Sequence, residues 1–191
     1  MNKFFSLTDY TFISFPRQGT KRGCGVAIYI SNKFLFSELK TYSTILNEVC
    51  ENCVIELSHS HAPSIIIACI YKPPDTEINL FSTAFQKFLN EVTTTNKTIF
   101  VSGDTNIDLL KYGSNGKIGN FLDLTLSFGL SPTITLPTRI ADNSSSLIDN
   151  IFTNYSKTPS QSFILFDDLS DHLPILFITN LFYNKLDVPR R

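Results

Sequence analysis

The chain has 191 residues, room for one globular domain. Hydrophobic residues at 42% supply a core, and charged residues at 17% are too few for a solvated disordered chain; 8 Gly, 9 Pro and the lack of heptads exclude collagen, coiled coil and low-complexity linker. A formal net charge of −1 gives no bulk positive field toward nucleic acid or anionic lipid, so a nucleic-acid partner has to be gripped locally.

Residues 1–10 show no basic start followed by an apolar stretch, and no apolar run reaches the ~20 residues of a membrane span. The expected location is therefore intracellular, nuclear or cytoplasmic, with no membrane partner and with reduced thiols at Cys24, Cys50, Cys53 and Cys69. Val26, Ile28 and Ile30 alternate with Ala27 and Tyr29, which predicts a strand apolar on both faces and covered on both sides. Cys53, Ile55 and Leu57 predict a second strand. After a turn around Pro63, the β-branched run 65–71 predicts a buried central strand paired with it as a hairpin, stopped by Pro73 and Pro74.

Leu80, Phe81, Ala84, Phe85, Phe88, Leu89 and Val92 recur at helical spacing, the pattern of an amphipathic helix on a sheet. Ile99, Phe100 and Val101 form another strand ending at Gly103-Asp104. A second helix is expected over 118–126, stopped by Gly129. Final strands are expected over 147–152 and 173–178. The 17 Phe, with abundant Ile and Thr, agree with sheets. Strands outnumber helices, so the expectation is an α+β chain with mixed sheets.

All six Glu lie at or before Glu91, whereas nine Asp follow it. Three of these Asp sit at strand ends in polar company. Asp104 and Asn106 follow an apolar strand and can point into one cleft, where Asp can take a proton from water or bind a hard cation; a plain Asx turn explains them equally well. Asp149 lies inside an apolar strand, where a lone carboxylate is costly, and so requires a partner such as a His. Asp171 and His172, at the entry to the last strand, set a possible metal ligand beside a titratable ring.

Taken in order, Tyr71-Lys72-Pro73-Pro74, Gly103-Asp104-Thr105-Asn106, Leu147-Ile148-Asp149-Asn150-Ile151-Phe152 and Ser170-Asp171-His172-Leu173-Pro174 resemble the endonuclease/exonuclease/phosphatase superfamily. The likeness is greater to the endonuclease domain of non-LTR (LINE-type) retrotransposons. Residues 22–30 are similar to the Gly-rich strand of that group, and Leu136-Pro137-Thr138-Arg139 with Ser144-Ser145-Ser146 fits it too. The resemblance spans residues 9–179. It implies a four-layer α/β/β/α sandwich of two mixed sheets and Mg²⁺-dependent phosphodiester cleavage, with DNA as partner and a covalent continuation into a reverse transcriptase in the parent element. It implies that Asp104 activates or orients the attacking water and Asn106 holds it or the phosphate. Asp149 would fix the His172 ring, His172 would steady the scissile phosphate, Tyr71 would contact a phosphate oxygen, and Asp171 with Asp104 would bind metal.

The family pattern begins with a strand-helix-strand unit that carries a metal-site Asn and the metal-binding Glu. Only 22 residues precede Gly23 here, and they contain no Glu. The chain therefore reads as a single domain over 1–191, lacking that unit and ending in a tail over 180–191. Weak Mg²⁺ binding and poor cleavage are expected from the missing Glu, together with apolar faces left uncovered by the missing strands. A catalytically inactive remnant of such a domain, and a phosphatase of the same superfamily, are the alternative readings. Glu48, Glu51 and Glu56 are accounted for by a solvent face of the Cys53 strand. Cys50 and Cys53 form a C-x-x-C followed by His59 and His61, four zinc-type ligands, but the apolar alternation through Cys53 argues for core instead. Lys21, Arg22, Arg190 and Arg191 could touch phosphates or simply be solvated.

Overall fold

The computed structural model describes residues 6–16, 25–47, 49–59, 62–157, 159–167 and 169–181. In chain order the elements are β1 (Tyr10–Pro16), β2 (Gly25–Ser31), β3 (Leu35–Glu38), α1 (Lys40–Leu46), β4 (Glu51–His59), β5 (Ala62–Tyr71), α2 (Ile78–Thr93), β6 (Thr98–Asp104), a 3₁₀ turn (Leu109–Lys111), α3 (Gly116–Ser127), β7 (Ser131–Pro132), β8 (Arg139–Ala141), β9 (Ser144–Ser146), β10 (Asp149–Thr153), β11 (Ser160–Ile164) and β12 (Ile175–Thr179). The β-branched run of β5 lies inside a six-stranded sheet of order β3-β4-β5-β6-β10-β7. β5 pairs antiparallel with β4 and parallel with β6, because α2 carries the chain back across the sheet between them. β10 returns antiparallel to β6, so the sheet is mixed.

Alternation along these strands separates two cores. Val54, Ile66, Ala68, Ile70, Ile99, Val101 and Phe152 face the helices and meet Phe81, Phe85 and Phe88 of α2 and Phe121 of α3. Cys53, Ile55, Leu57, Ile65, Phe100 and Ile151 face the other way. There the β1–β2 hairpin lies over β4 and β5, and β12 lies over β10. The aromatic stripe of α2 is core, as its spacing predicts. Glu77 caps the helix by accepting the Leu80 N–H at 3.0 Å. Gly129, at φ +74°, closes α3, with Leu130 N–H bonded back to the Thr125 carbonyl.

The α+β class and the mixed sheet are as expected. Among the described residues the layers are helices, the six-stranded sheet, and the separate hairpins β1–β2 and β11–β12. A helix outside those hairpins is not found among them. The hairpins leave the centre of the sheet thinly covered: Ile67 and Cys69 are half-buried, while Ile66 and Ala68 on the helix side are buried. Among the described residues β2 is covered on one side only. Val26 and Ile30 point into the core, whereas Ala27 and Tyr29 face outward, because the hairpin is the outermost layer at that point.

The C-x-x-C pair does not converge. Cys50 packs among the helix-side residues and Cys53 in the opposite core, and burial pushes both thiols up to about 12. The side chains of His59 and His61, and Lys21, Arg22, Arg190, Arg191 and the tail residues 182–191, lie outside what is described. No helix among the described residues is long and apolar enough to cross a membrane.

Candidate active site at the strand ends

The site begins where β6 stops. Gly103 has φ +146°, and a Cβ there would run into the Ile70 carbonyl oxygen, so only glycine lets β6 close on β5 at this level. Lys72 N–H then donates to the Asp104 carbonyl at 2.9 Å. Asn106 adopts φ +48°, a conformation Asn tolerates better than most residues. Its N–H donates to Asp104 Oδ1 at 2.8 Å, and its Nδ2 donates to the Lys72 carbonyl at 2.9 Å and to Asp104 Oδ2 at 3.2 Å. With the nitrogens engaged, the group Asn106 can offer a cation or a water is its Oδ1. The segment is an Asx-type turn, and the same turn fixes both side chains.

Strand register brings the next residues alongside. Asp104 lies opposite Asp149, Tyr71 opposite Asp104, and Glu51 opposite Tyr71. Directly opposed residues share a face, so Glu51, Tyr71, Asp104 and Asp149 form one row across four strands, on the face away from the helices. Glu51 is thus not on a solvent face. Its strand is covered on both sides and its Oε2 is buried. Glu56, farther along β4, is held by Lys97 Nζ at 2.6 Å. Glu48 lies outside the described residues.

His172 completes the group. Its Nδ1 lies 3.0 Å from Asp149 Oδ2 and 3.2 Å from Oδ1, the pairing that a half-buried carboxylate in an apolar strand requires. Thr138, fully buried, donates from Oγ1 to Asp149 Oδ2 at 2.8 Å and accepts the N–H groups of Ile148 and Asp149. Its carbonyl takes the Leu173 N–H at 2.6 Å, so Thr138 ties the start of β10 to the entry of β12. Asp104, Asp149 and His172 offer ligand atoms that all lie within 4.8 Å of one another.

Burial raises the Asp104 carboxyl above the ordinary 3.8, and the neighbouring Asp149 charge adds to this, against the lowering effect of the Asn106 N–H. Two carboxylates this close favour a cation between them. Two acidic oxygens with an amide oxygen nearby suit a hard divalent ion such as Mg²⁺. Asp171 is placed differently. Its Oδ2 accepts from Arg139 Nε at 2.7 Å, which holds its carboxyl below the usual range, and both side chains are half-exposed. It borders the converged group and is not part of it.

Thr138, Arg139, Glu51 and Lys72 were given no role by sequence. Lys72 is 1% exposed, with Nζ bonded to the Pro73 carbonyl at 3.0 Å, and burial depresses its pKa. A lysine directly after an apolar strand was the one local hint; the others depend on register. Asn150 is structural: it accepts the Thr133 and Ile134 N–H groups and pins that loop to β10.

A mixed sheet with helices on one face and a carboxylate–histidine group at its strand ends agree with the endonuclease/exonuclease/phosphatase class that the motif order implies. Residues 65–176 match the family described as Endonuclease-reverse transcriptase, and the chain belongs to that family. Among solved structures it is similar to the endonuclease domain of TRAS1, a telomere-specific non-LTR retrotransposon, at 15% identity and TM-score 0.69, covering 90% of this chain and 81% of that one. It is also similar to the APE2 catalytic domain of Xenopus laevis, at 14% identity and TM-score 0.63, covering 89% and 75%. The 3'-5' exonuclease NExo of Neisseria meningitidis matches at 16% identity and TM-score 0.59, covering 89% and 79%. At these identities the likeness is one of fold. No curated protein matches the chain.

Proposed function

We propose that the chain is the metal-dependent phosphodiesterase domain of a retrotransposon-derived protein, acting on DNA as an endonuclease. The observation that carries this reading is the convergence of Asp104, Asp149 and His172, on a fold shared with nucleases. Mg²⁺, held through Asp104 and the neighbouring oxygens, would supply charge neutralisation at the phosphate. Asp104 orients the attacking water, with Asn106 holding the water or a phosphate oxygen. Asp149 fixes the His172 ring, so its other nitrogen is free to steady the phosphate. Tyr71, next in the row, contacts a phosphate oxygen. Asp171 joins the metal only by exchanging Arg139 for it. The family's description supports a continuation into a reverse transcriptase in the parent element.

The test is nicking of supercoiled plasmid. Slow relaxation that needs Mg²⁺ and stops with EDTA supports the reading. Release of phosphate from 3'-phosphorylated DNA without nicking would move the activity to a phosphatase, and neither activity would make the chain an inactive remnant.

Metal binding has its own expected result. Few protein oxygens surround the site, so Mg²⁺ binds weakly, raising Tm only at millimolar concentrations. Asp104→Asn abolishes that shift. The raised Asp104 carboxyl favours the neutral form in the fold, a contribution present below the unfolded pKa and lost as pH rises through the folded one. Without metal at neutral pH, Asp104→Asn is therefore at least as stable as the parent. A lower metal-free Tm for the variant, or an unchanged Mg²⁺ shift, would contradict this.

A further inference from the structure

Beside the converged group stands a guanidinium with most of its donors uncommitted. Ile140 N–H donates to the Asp171 carbonyl at 2.9 Å and Leu173 N–H to the Thr138 carbonyl at 2.6 Å, and these two bonds frame an antiparallel bridge of Arg139 with His172. A pair framed in this way exchanges no backbone hydrogen bond of its own and is the close kind, with Cα atoms about 4.5 Å apart and side chains on one face. The Arg139 side chain therefore leaves the backbone next to the His172 ring, and Thr138, the residue before it, donates to Asp149. Strand pairing puts this cation at the Asp149–His172 pair.

Of the Arg139 side-chain nitrogens, Nε donates to Asp171 Oδ2 at 2.7 Å. Neither terminal nitrogen makes a hydrogen bond among the described residues, which leaves their N–H donors open in a planar fork. The side chain is 45% exposed and that of Asp171 46%, so both meet solvent and an incoming anion can reach the pair. An exposed ion pair of this kind adds little to stability. The Asp171 bond first, and then the Asp104 and Asp149 charges, favour the charged guanidinium. Arg139 is also the one arginine among the described residues, and the buried Lys72 already spends its Nζ on the Pro73 carbonyl. In a chain of net charge −1, a polyanion has to be gripped by such a local cation.

We propose that Arg139 binds the DNA phosphate that His172 steadies, and that Asp171 is a placeholder that holds the guanidinium until this phosphate displaces it, an inference that rests on the phosphodiesterase reading. A planar fork matches two oxygens of one phosphate, and charge-assisted bonds of that geometry are the strong ones. The Asp171 carboxylate offers the same kind of oxygen through a single bond, so a phosphate that engages two nitrogens exchanges for it. The guanidinium also offsets the repulsion that a phosphate meets from Asp104 and Asp149. Asp171 thereby sets affinity through Arg139 without touching the DNA.

The test is binding of the full chain to a fluorescein-labelled duplex oligodeoxynucleotide, followed by anisotropy at several salt concentrations, in EDTA so that no cleavage occurs. Arg139→Ala is expected to weaken binding about tenfold and to lower the slope of log K against log salt by about one phosphate contact. Arg139→Lys restores the slope but only part of the affinity, because an ammonium lacks the fork. Asp171→Asn tightens binding by about threefold or more, since it frees a guanidinium that the parent keeps occupied. In the double variant Arg139→Ala/Asp171→Asn that gain disappears. All these variants should melt close to the parent, because the ion pair is half-exposed. Unchanged affinity and slope in Arg139→Ala overturn the proposal. So does an Asp171→Asn chain that binds no tighter than the parent, or a gain that survives in the double variant, which assigns it to lost bulk repulsion. Weaker binding by Arg139→Ala, with plasmid nicking absent from the parent, keeps the phosphate contact and discards the phosphodiesterase reading. Nicking by the parent, with Arg139→Ala binding and nicking equally well, discards the contact and keeps that reading.

Discussion

His172→Ala lowers Mg²⁺-dependent nicking by about 10²–10³-fold, the cost of removing one preorganised group from the charge that develops in the transition state. The size of the effect follows from how firmly the ring is held. Nδ1 lies 3.0 Å from Asp149 Oδ2, and that same oxygen accepts from the buried Thr138 hydroxyl. The carboxylate therefore has one orientation, and it sets the tautomer and plane of the imidazole. His172 is 33% exposed on its side chain, so its removal costs the fold little and Tm should stay close to that of the parent. Asp149→Asn keeps the shape but weakens the grip on the ring, so it reduces the rate with Mg²⁺ affinity less affected than by Asp104→Asn. Nicking by His172→Ala within twofold of the parent would remove His172 from the site. A rate loss matched by a large fall in Tm would reassign the residue to the fold.

Phe85→Ala destabilises the chain by about 3–5 kcal/mol. Phe85 is fully buried, with ring centroids 5.4 Å from Phe81, 5.8 Å from Phe88 and 5.9 Å from Phe121. Removing it takes the middle ring from a cluster that continues through Phe121 to Phe152 of β10, at 5.9 Å. Neighbours on two helices and a sheet cannot all collapse into the space, so the cavity persists. Urea denaturation followed by circular dichroism should show a lower midpoint at an unchanged slope. Leu80→Ala on the same helix is the control. Leu80 is 57% exposed, and its loss should stay within about 0.5 kcal/mol. A loss below 2 kcal/mol for Phe85→Ala would mean that the cluster repacks.

Local pattern was enough for the elements with a strong period. The 3.6-residue recurrence of Phe81, Phe85, Phe88 and Val92 is a property of the helix itself, and it located α2. The alternation through β4 and the continuous β-branched run of β5 located their hairpin, and Asp149, stranded in an apolar run, called for the partner that it has in His172. The motif order from Tyr71 to Pro174 carried the family. Short strands such as β3, β8 and β9 have too few residues to show a period, and they stayed unread.

The tertiary structure alone decided which groups converge. Glu51 joins the row of Tyr71, Asp104 and Asp149 because three registers place it there, and a slip of one residue in any of them would turn it to the other face. Thr138 holds Asp149 across 11 residues, and Arg139 takes the Asp171 carboxylate across 32. The half-burial of Ile67 in the middle of the sheet and the cavity lined by Phe163 and Leu173 likewise depend on where separate hairpins land. Sequence thus determined which residues must be buried and which carboxylate needed a partner, since burial and desolvation act residue by residue. Which partner is reached, and across which face, is set by strand register and hairpin placement, and those follow from the packing energy of the whole sheet, which no short stretch of chain contains.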